Sequence, residues 1–206
     1  MPSVEFFFDC ASPWTYFAFR RVPPVCAALG APILWKPILV GAVFDRVNDS
    51  AYRLRENPEA PKFRYLHKDL RDWARHLGIR LTFPPPVFPV NSARAMRGAI
   101  LAIERGILEP YAEAVFSAYW TDLKDISQAD ILLAIWQRLG QSADGFLATI
   151  DAEPYRQRLK DNTEELIQRG GFGTPTIFID GADMYFGNDR LPLIERRLRA
   201  ARSGQA

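Results

Sequence analysis

The segment FFFDCASPWTY, residues 6–16, runs an apolar stretch into Asp9 and follows it with Ser12 and Pro13. Ser12 reads as the N-cap of a helix and Pro13 as its first residue, where a missing N–H costs nothing. Unpaired amides and the positive end of the helix dipole favour an anion at that point, and a serine hydroxyl can donate a hydrogen bond to it. Ordinary capping accounts for the same pair, and these residues alone leave both readings open. A second segment, GFGTPTIFIDG at 171–181, sets Thr174 and Pro175 directly before an apolar β-branched run. A cis bond at Pro175 would turn the chain sharply there; a trans proline at the first position of a strand is the plainer alternative. Other chemistries have less behind them. Cys10 and Cys26 are the only cysteines, at neither CxxC nor metal-ligand spacing, and read as free thiols of a reducing compartment. The only histidines, His67 and His76, fall on one amphipathic segment and offer no Ser-His-Asp arrangement.

These residues need a sheet edge and a helix start to stand on. Residues 3–8 (SVEFFF) predict a buried strand, the segment from Pro13 to about Leu29 a helix closed by Gly30, and PILWKPIL at 32–39 a second strand. Pro37 marks an edge or an end of that strand. A helical crossover implies that the two strands run parallel. From about Gly41 to Arg169 apolar residues recur three or four apart, interrupted by FPPPVFP at 83–89, with helix starts marked by Ser92, Ser127 and Ser142. This predicts about five or six helices. GTPTIFID, a turn at Gly181, DMYFG and a closing helical DRLPLIERRLRAAR then restore the strand pattern. The economical architecture is α/β: a β-α-β unit (1–40) and a β-β-α unit (170–206) sharing one sheet, with 41–169 inserted as a helical domain. That is the thioredoxin-like arrangement, and Ser12 falls at the carboxyl edge of the sheet, where such folds bind ligands.

The 206-residue chain is 48% hydrophobic and 24% charged, which excludes disorder and fibrous repeats. A formal net charge of +2 gives no electrostatic footprint for nucleic acid. No run approaches the roughly 18 apolar residues of a membrane helix. The opening MPSVEFFFD has an acidic residue where a signal peptide carries cations, so a cytoplasmic protein is expected.

Together, FFFDCASPWTYFA, FGTPTIFIDG and FGNDRLPLIERRL resemble the 2-hydroxychromene-2-carboxylate isomerases, relatives of the kappa-class glutathione transferases in the DsbA branch of thioredoxin-like proteins. PKFRYLHKDLRDWARHLG and FPVNSARAMRGA resemble that family's helical insert, so the likeness covers nearly the whole chain. Redox members of the branch open the first helix with a Cys-Pro-His-Cys-like motif. This chain has Ser12, Pro13, Trp14 and Thr15 there, and dithiol chemistry lacks its pair of thiols. The resemblance implies that glutathione supplies the thiol as cofactor, with Ser12 donating to its sulfur. It implies further glutathione contacts from Thr174 and Pro175, and from Asn188, Asp189 and Arg190, with Asp189 on the ammonium. In the insert it points to Lys62 and to Asn57, where RENPEAPKF departs slightly from the family's spacing. Trp14, Phe44, Phe88, Asn91 and Arg94 are the expected lining for an aromatic acid, Arg94 meeting its carboxylate. The implied activity is glutathione-dependent isomerisation of 2-hydroxychromene-2-carboxylate, or a close analogue, to trans-2-hydroxybenzylidenepyruvate by a homodimer. The alternatives are net glutathione transfer and binding of glutathione or an aromatic acid without turnover.

Overall fold

A computed structural model of the chain describes residues 2–50 and 59–202. Strand β1 (Val4–Phe8) is buried along most of its length because it lies inside a four-stranded sheet of order β2-β1-β3-β4. Helix α1 (Pro13–Ala28) crosses over and returns the chain to β2 (Ile33–Pro37), parallel to β1 with Phe8 opposite Pro37. Pro37 is the last residue of an edge strand, where its missing N–H breaks no ladder. Strand β3 (Thr176–Ile179) runs antiparallel to both β1 and β4 (Asp183–Phe186). The hairpin turns through Asp180 and Gly181 at φ of +52° and +75°, a conformation that favours glycine at the second position. A 3-10 turn, Asn188–Arg190, leads into the last helix, Leu191–Arg202.

Between β2 and β3 lie α2 (Val40–Val47), α3 (Pro61–Leu77), α4 (Ala93–Glu104), α5 (Leu108–Trp120), α6 (Ala129–Arg138), α7 (Phe146–Ile150) and α8 (Glu153–Gln168). The closing helix is α9. Helix α2 was not among the sequence expectations; it is short and holds Gly41, a poor helix former. Neither Ser127 nor Ser142 is a cap, since α6 starts after Gln128 and α7 after Gly145. Ser92 does stand at the N-cap of α4, but its side chain is turned elsewhere.

Strand alternation sends Phe6 and Phe8 to one face of the sheet and Phe7 to the other. On the first face, Phe6 and Phe19 pack on Trp35 with ring centroids 5.2 and 5.4 Å away. Phe19 then meets Phe116 of α5 at 5.3 Å, so sheet and inserted helices share one continuous core. On the second face Phe7 packs with Ile38, Val43, Leu166 and Phe178. Helix α8 covers that edge: Asn162 Nδ2 donates to Pro37 O at 2.9 Å, and Lys36 pairs with Glu165 at 2.8 Å. Among the described residues no helix is long and apolar enough to cross a membrane.

Candidate functional site

The turn from β1 into α1 brings the chemistry to the sheet edge. Ser12 is the N-cap of α1, in extended backbone conformation (φ −109°, ψ 122°), and its Oγ accepts from Thr15 N at 3.3 Å. The same hydroxyl donates to Thr174 O, also at 3.3 Å, in the loop before β3. The Thr174–Pro175 bond is cis, the first of the two readings that the sequence leaves open. Thr15 lies one turn further along α1. Here it is fully buried and shares a 2.9 Å bond with Thr174 Oγ1, which in turn donates to Phe7 O at 3.1 Å. A chain of hydroxyls therefore ties α1, the pre-β3 loop and β1 together. Beneath Ser12, the backbone of Cys10 is held from both sides: its N–H donates to Met96 Sδ at 3.4 Å, and its carbonyl accepts from Trp120 Nε1 at 2.9 Å.

A cavity of about 350 Å³ opens over Ser12. It gathers six of the predicted residues, Ser12, Trp14, Phe44, Lys62, Phe88 and Thr174, and adds Leu66, Leu70, Phe83, Gly173 and Phe186. Leu66 and Leu70 lie on the apolar face of α3, and periodicity does not distinguish a face against core from one against a cleft. At Gly173 a Cβ would come 3.0 Å from the Phe186 ring, so a larger residue would need that ring to shift by a few tenths of an ångström, and 3.7 Å from Phe44, an ordinary contact. A second cavity of about 400 Å³ shares Ala11, Val40, Phe44 and Phe88 with the first and reaches Pro89, Asn91 and Ser92.

Other predicted residues stand outside the Ser12 cavity. Asn91 belongs to the second one, its Oδ1 accepting from Ala93 N at 3.0 Å. Arg94 is turned away to an ion pair with Asp151 at 2.9 Å, which Arg97 also joins. Asn188, Asp189 and Arg190 occupy the 3-10 turn before α9. Asp189 pairs with Arg190 at 2.7 Å, and Arg21 reaches the same turn from α1, donating to Asn188 O at 3.0 Å. Asn188 is buried, and its Nδ2 has no hydrogen-bond partner. Asn57 lies outside the described residues.

Both thiols are free and buried. Burial, with the charges of Asp9 and Glu113 adding to it, pushes the Cys10 thiol well above its ordinary value. Burial alone lifts Cys26 to about 11. Neither is a thiolate at neutral pH, so neither is a ready nucleophile. Along α1 the two are also separated by roughly 20 Å at ~1.5 Å per residue. Among the described residues no cluster of His, Cys, Asp and Glu could hold a metal ion.

Residues 3–199 match the model of the DSBA-like thioredoxin domain. A 2-hydroxychromene-2-carboxylate isomerase of Pseudomonas sp. (strain C18) is 30% identical over 96% of this chain and 91% of its own length. The chain belongs to the 2-hydroxychromene-2-carboxylate isomerase family, within the DSBA-like thioredoxins. A solved structure of a 2-hydroxychromene-2-carboxylate isomerase superposes on this family member with a TM-score of 0.79 at 27% identity, over 99% of each chain. Glutathione S-transferase kappa 1 of Homo sapiens is 26% identical to it over 95% of this chain and 90% of that protein. The isomerase and kappa-class likenesses therefore both run the length of the fold.

Proposed function

We propose that this chain is a glutathione-dependent isomerase of 2-hydroxychromene-2-carboxylate or a close aromatic analogue, with Ser12 as its thiol-activating residue. The observation that carries the reading is a hydroxyl donor at a helix N-terminus, opening on a mainly apolar cavity with several aromatic walls, in a chain whose own thiols are buried and protonated. Glutathione fits what surrounds it. Lys62 at the exposed rim supplies a cation for a carboxylate. Asp189 offers a carboxylate for an ammonium, beside the guanidinium of Arg190. When bound beside Ser12 and Lys62, glutathione would supply a thiolate for reversible, non-oxidative covalent catalysis at the double bond that opening of the hemiketal ring conjugates to a ketone.

The chain's residues set the conditions for that chemistry. Ser12 Oγ spends its proton on a long 3.3 Å bond to Thr174 O, so the proton is cheaply redirected to a sulfur anion. The first-turn amides of α1 add their dipole at the same place. Trp14, Phe44 and Phe88 present flat apolar surface to an aromatic ring and exclude water from it. Mixing the protein with glutathione and 2-hydroxychromene-2-carboxylate should change the near-ultraviolet spectrum to that of the trans product while total free glutathione stays constant. Glutathione loss in step with substrate would instead identify a transferase, the reading that the kappa-class likeness favours. No turnover of either kind would leave a binding protein.

Two further outcomes follow from the assignments. Asp189→Asn should weaken glutathione binding severalfold, seen by calorimetry, while turnover at saturating glutathione changes little; equal affinity in the two proteins would remove Asp189 from the site. Cys10→Ala/Cys26→Ala should keep its glutathione-dependent turnover, and the parent should fail to reduce insulin with dithiothreitol. A folded double variant without turnover, beside a parent that exchanges disulfides, would assign the chemistry to the protein's own thiols.

A further inference from the structure

Asp9 is fully buried, yet it is bonded to three separate parts of the cleft. One carboxylate oxygen, Oδ1, accepts from Ala11 N at 2.9 Å. The other, Oδ2, accepts from Val40 N at 2.8 Å and from Ser92 Oγ at 2.9 Å. Ala11 belongs to the turn that delivers Ser12, Val40 is the first residue of α2, and Ser92 stands at the N-terminus of α4. All three line the cavity of about 400 Å³ beside the Ser12 cavity, and Ala11 and Val40 line both.

We propose that Asp9 is a positioning residue: its ionised carboxylate draws the β1–α1 turn, α2 and α4 together into one wall of the substrate cleft, and its protonation loosens that wall. That the cleft takes an aromatic acid rests on the proposed function; the three-way attachment does not. A carboxylate can accept every one of these bonds. A carboxylic acid must turn one oxygen into an O–H donor, and the N–H groups facing it from Ala11 and Val40 cannot accept. Only Ser92 can reverse its role, and it shares its oxygen with Val40.

Burial lifts the Asp9 carboxyl to about 6, against the opposing pull of the bonds from Ala11, Val40 and Ser92. The loosening therefore falls in mildly acid solution. Among the described residues no cation faces the carboxylate. On its own segment stands the neutral Cys10 thiol, with Glu113 of α5 beyond it. Of the charged residues on α2 and α4, Arg46 pairs with Glu164, Arg94 and Arg97 with Asp151, and Glu104 with Arg158; neither these nor Asp45 adds to the burial and hydrogen bonds that set the Asp9 carboxyl. The sign of the stability effect follows from the raised value. A folded-state pKa raised above the unfolded value of 3.8 gives stability that is present below 3.8 and lost as pH rises through about 6. Above that pH the charged group works against the fold while it holds the wall.

The test is a pH titration of the unliganded protein by nuclear magnetic resonance, reading the Asp9 carboxyl carbon and the amides of Ala11 and Val40. All three should move with one midpoint near 6. Ser92→Ala removes a bond to the ionised form and should shift that midpoint upward; Asp9→Asn should abolish the transition in the amides. In turnover, kcat/KM for the aromatic acid should fall through the same midpoint as pH drops, mainly through KM, and Ser92→Ala should carry this limb upward with the resonance midpoint. Amides that titrate independently, or a midpoint unmoved in Ser92→Ala, would overturn the assignment even if Asp9→Asn fails to fold. Resonances that behave as described in a protein that turns over no chromene would sustain the role of Asp9 and discard the proposed function.

Discussion

Ser12→Ala is expected to cut turnover at saturating glutathione about tenfold or more, because a charge-assisted hydrogen bond worth ~1.5–3 kcal/mol is lost and each ~1.36 kcal/mol is a factor of ten in rate. Alanine also removes the N-cap bond to Thr15 N, which by itself costs about 1 kcal/mol of stability. Ser12→Gly separates the two effects. Glycine is nearly as good a cap as serine, so its melting temperature should stay close to that of the parent while its turnover falls as far as that of the alanine variant. The ultraviolet absorbance of the bound thiolate should fall in both, since the donor that favours the ionised sulfur is absent from both. Turnover and thiolate absorbance equal to the parent in a folded Ser12→Gly protein would return Ser12 to plain capping. The two readings open in the sequence would then be closed the other way.

What the sequence displays and what it conceals follow a physical line. β1, α1, β2 and the C-terminal hairpin are legible because each is bounded by local punctuation: Asp9 and Pro13, Gly30, Pro37, and the Asp180-Gly181 turn. Ser12 and Thr174 are far apart in sequence, and each alone passes for a routine residue. Their pairing is legible only through the joint presence of both motifs, and the 3.3 Å bond between them expresses it. Residues that act across elements were harder to read. Arg94 looks like an arginine available for a carboxylate until Asp151 is brought to it by α7 and the turn that follows. Asp9 looks like the end of a strand, because nothing local announces that Val40 and Ser92 will return to it. Helix α2, which carries Val40, has too few residues and too poor a former in Gly41 to be seen without the sheet it packs on.

The support beneath Ser12 depends on how closely α4 approaches α5, and Gly98 sets that distance. A Cβ at Gly98 would fall inside contact distance of Tyr111 Oη and 2.8 Å from its Cζ. Tyr111 has no room to give: it is fully buried, its hydroxyl donates to Ala95 O at 3.1 Å, and its ring meets Trp136 edge-on at 5.9 Å. Gly98→Ala should therefore overpack the core by about 1–3 kcal/mol, lowering the melting temperature by roughly 2–12 °C for a chain of this size. Tyr111→Phe removes the hydroxyl and with it part of the clash. The Gly98→Ala/Tyr111→Phe double variant should accordingly lose less stability than the sum of the single losses, the mark of residues in contact. The consequence reaches the site, because α4 carries Met96 and α5 carries Trp120, and these two hold the backbone of Cys10 on either side. Separating the helices moves both supports under the turn that aims the Ser12 hydroxyl. Below its melting temperature, then, Gly98→Ala should also turn over more slowly, with Tyr111→Phe restoring part of the rate alongside part of the stability. A Gly98→Ala protein that melts with the parent would mean that the helices can part without cost, and that something other than their close approach fixes the floor of the site.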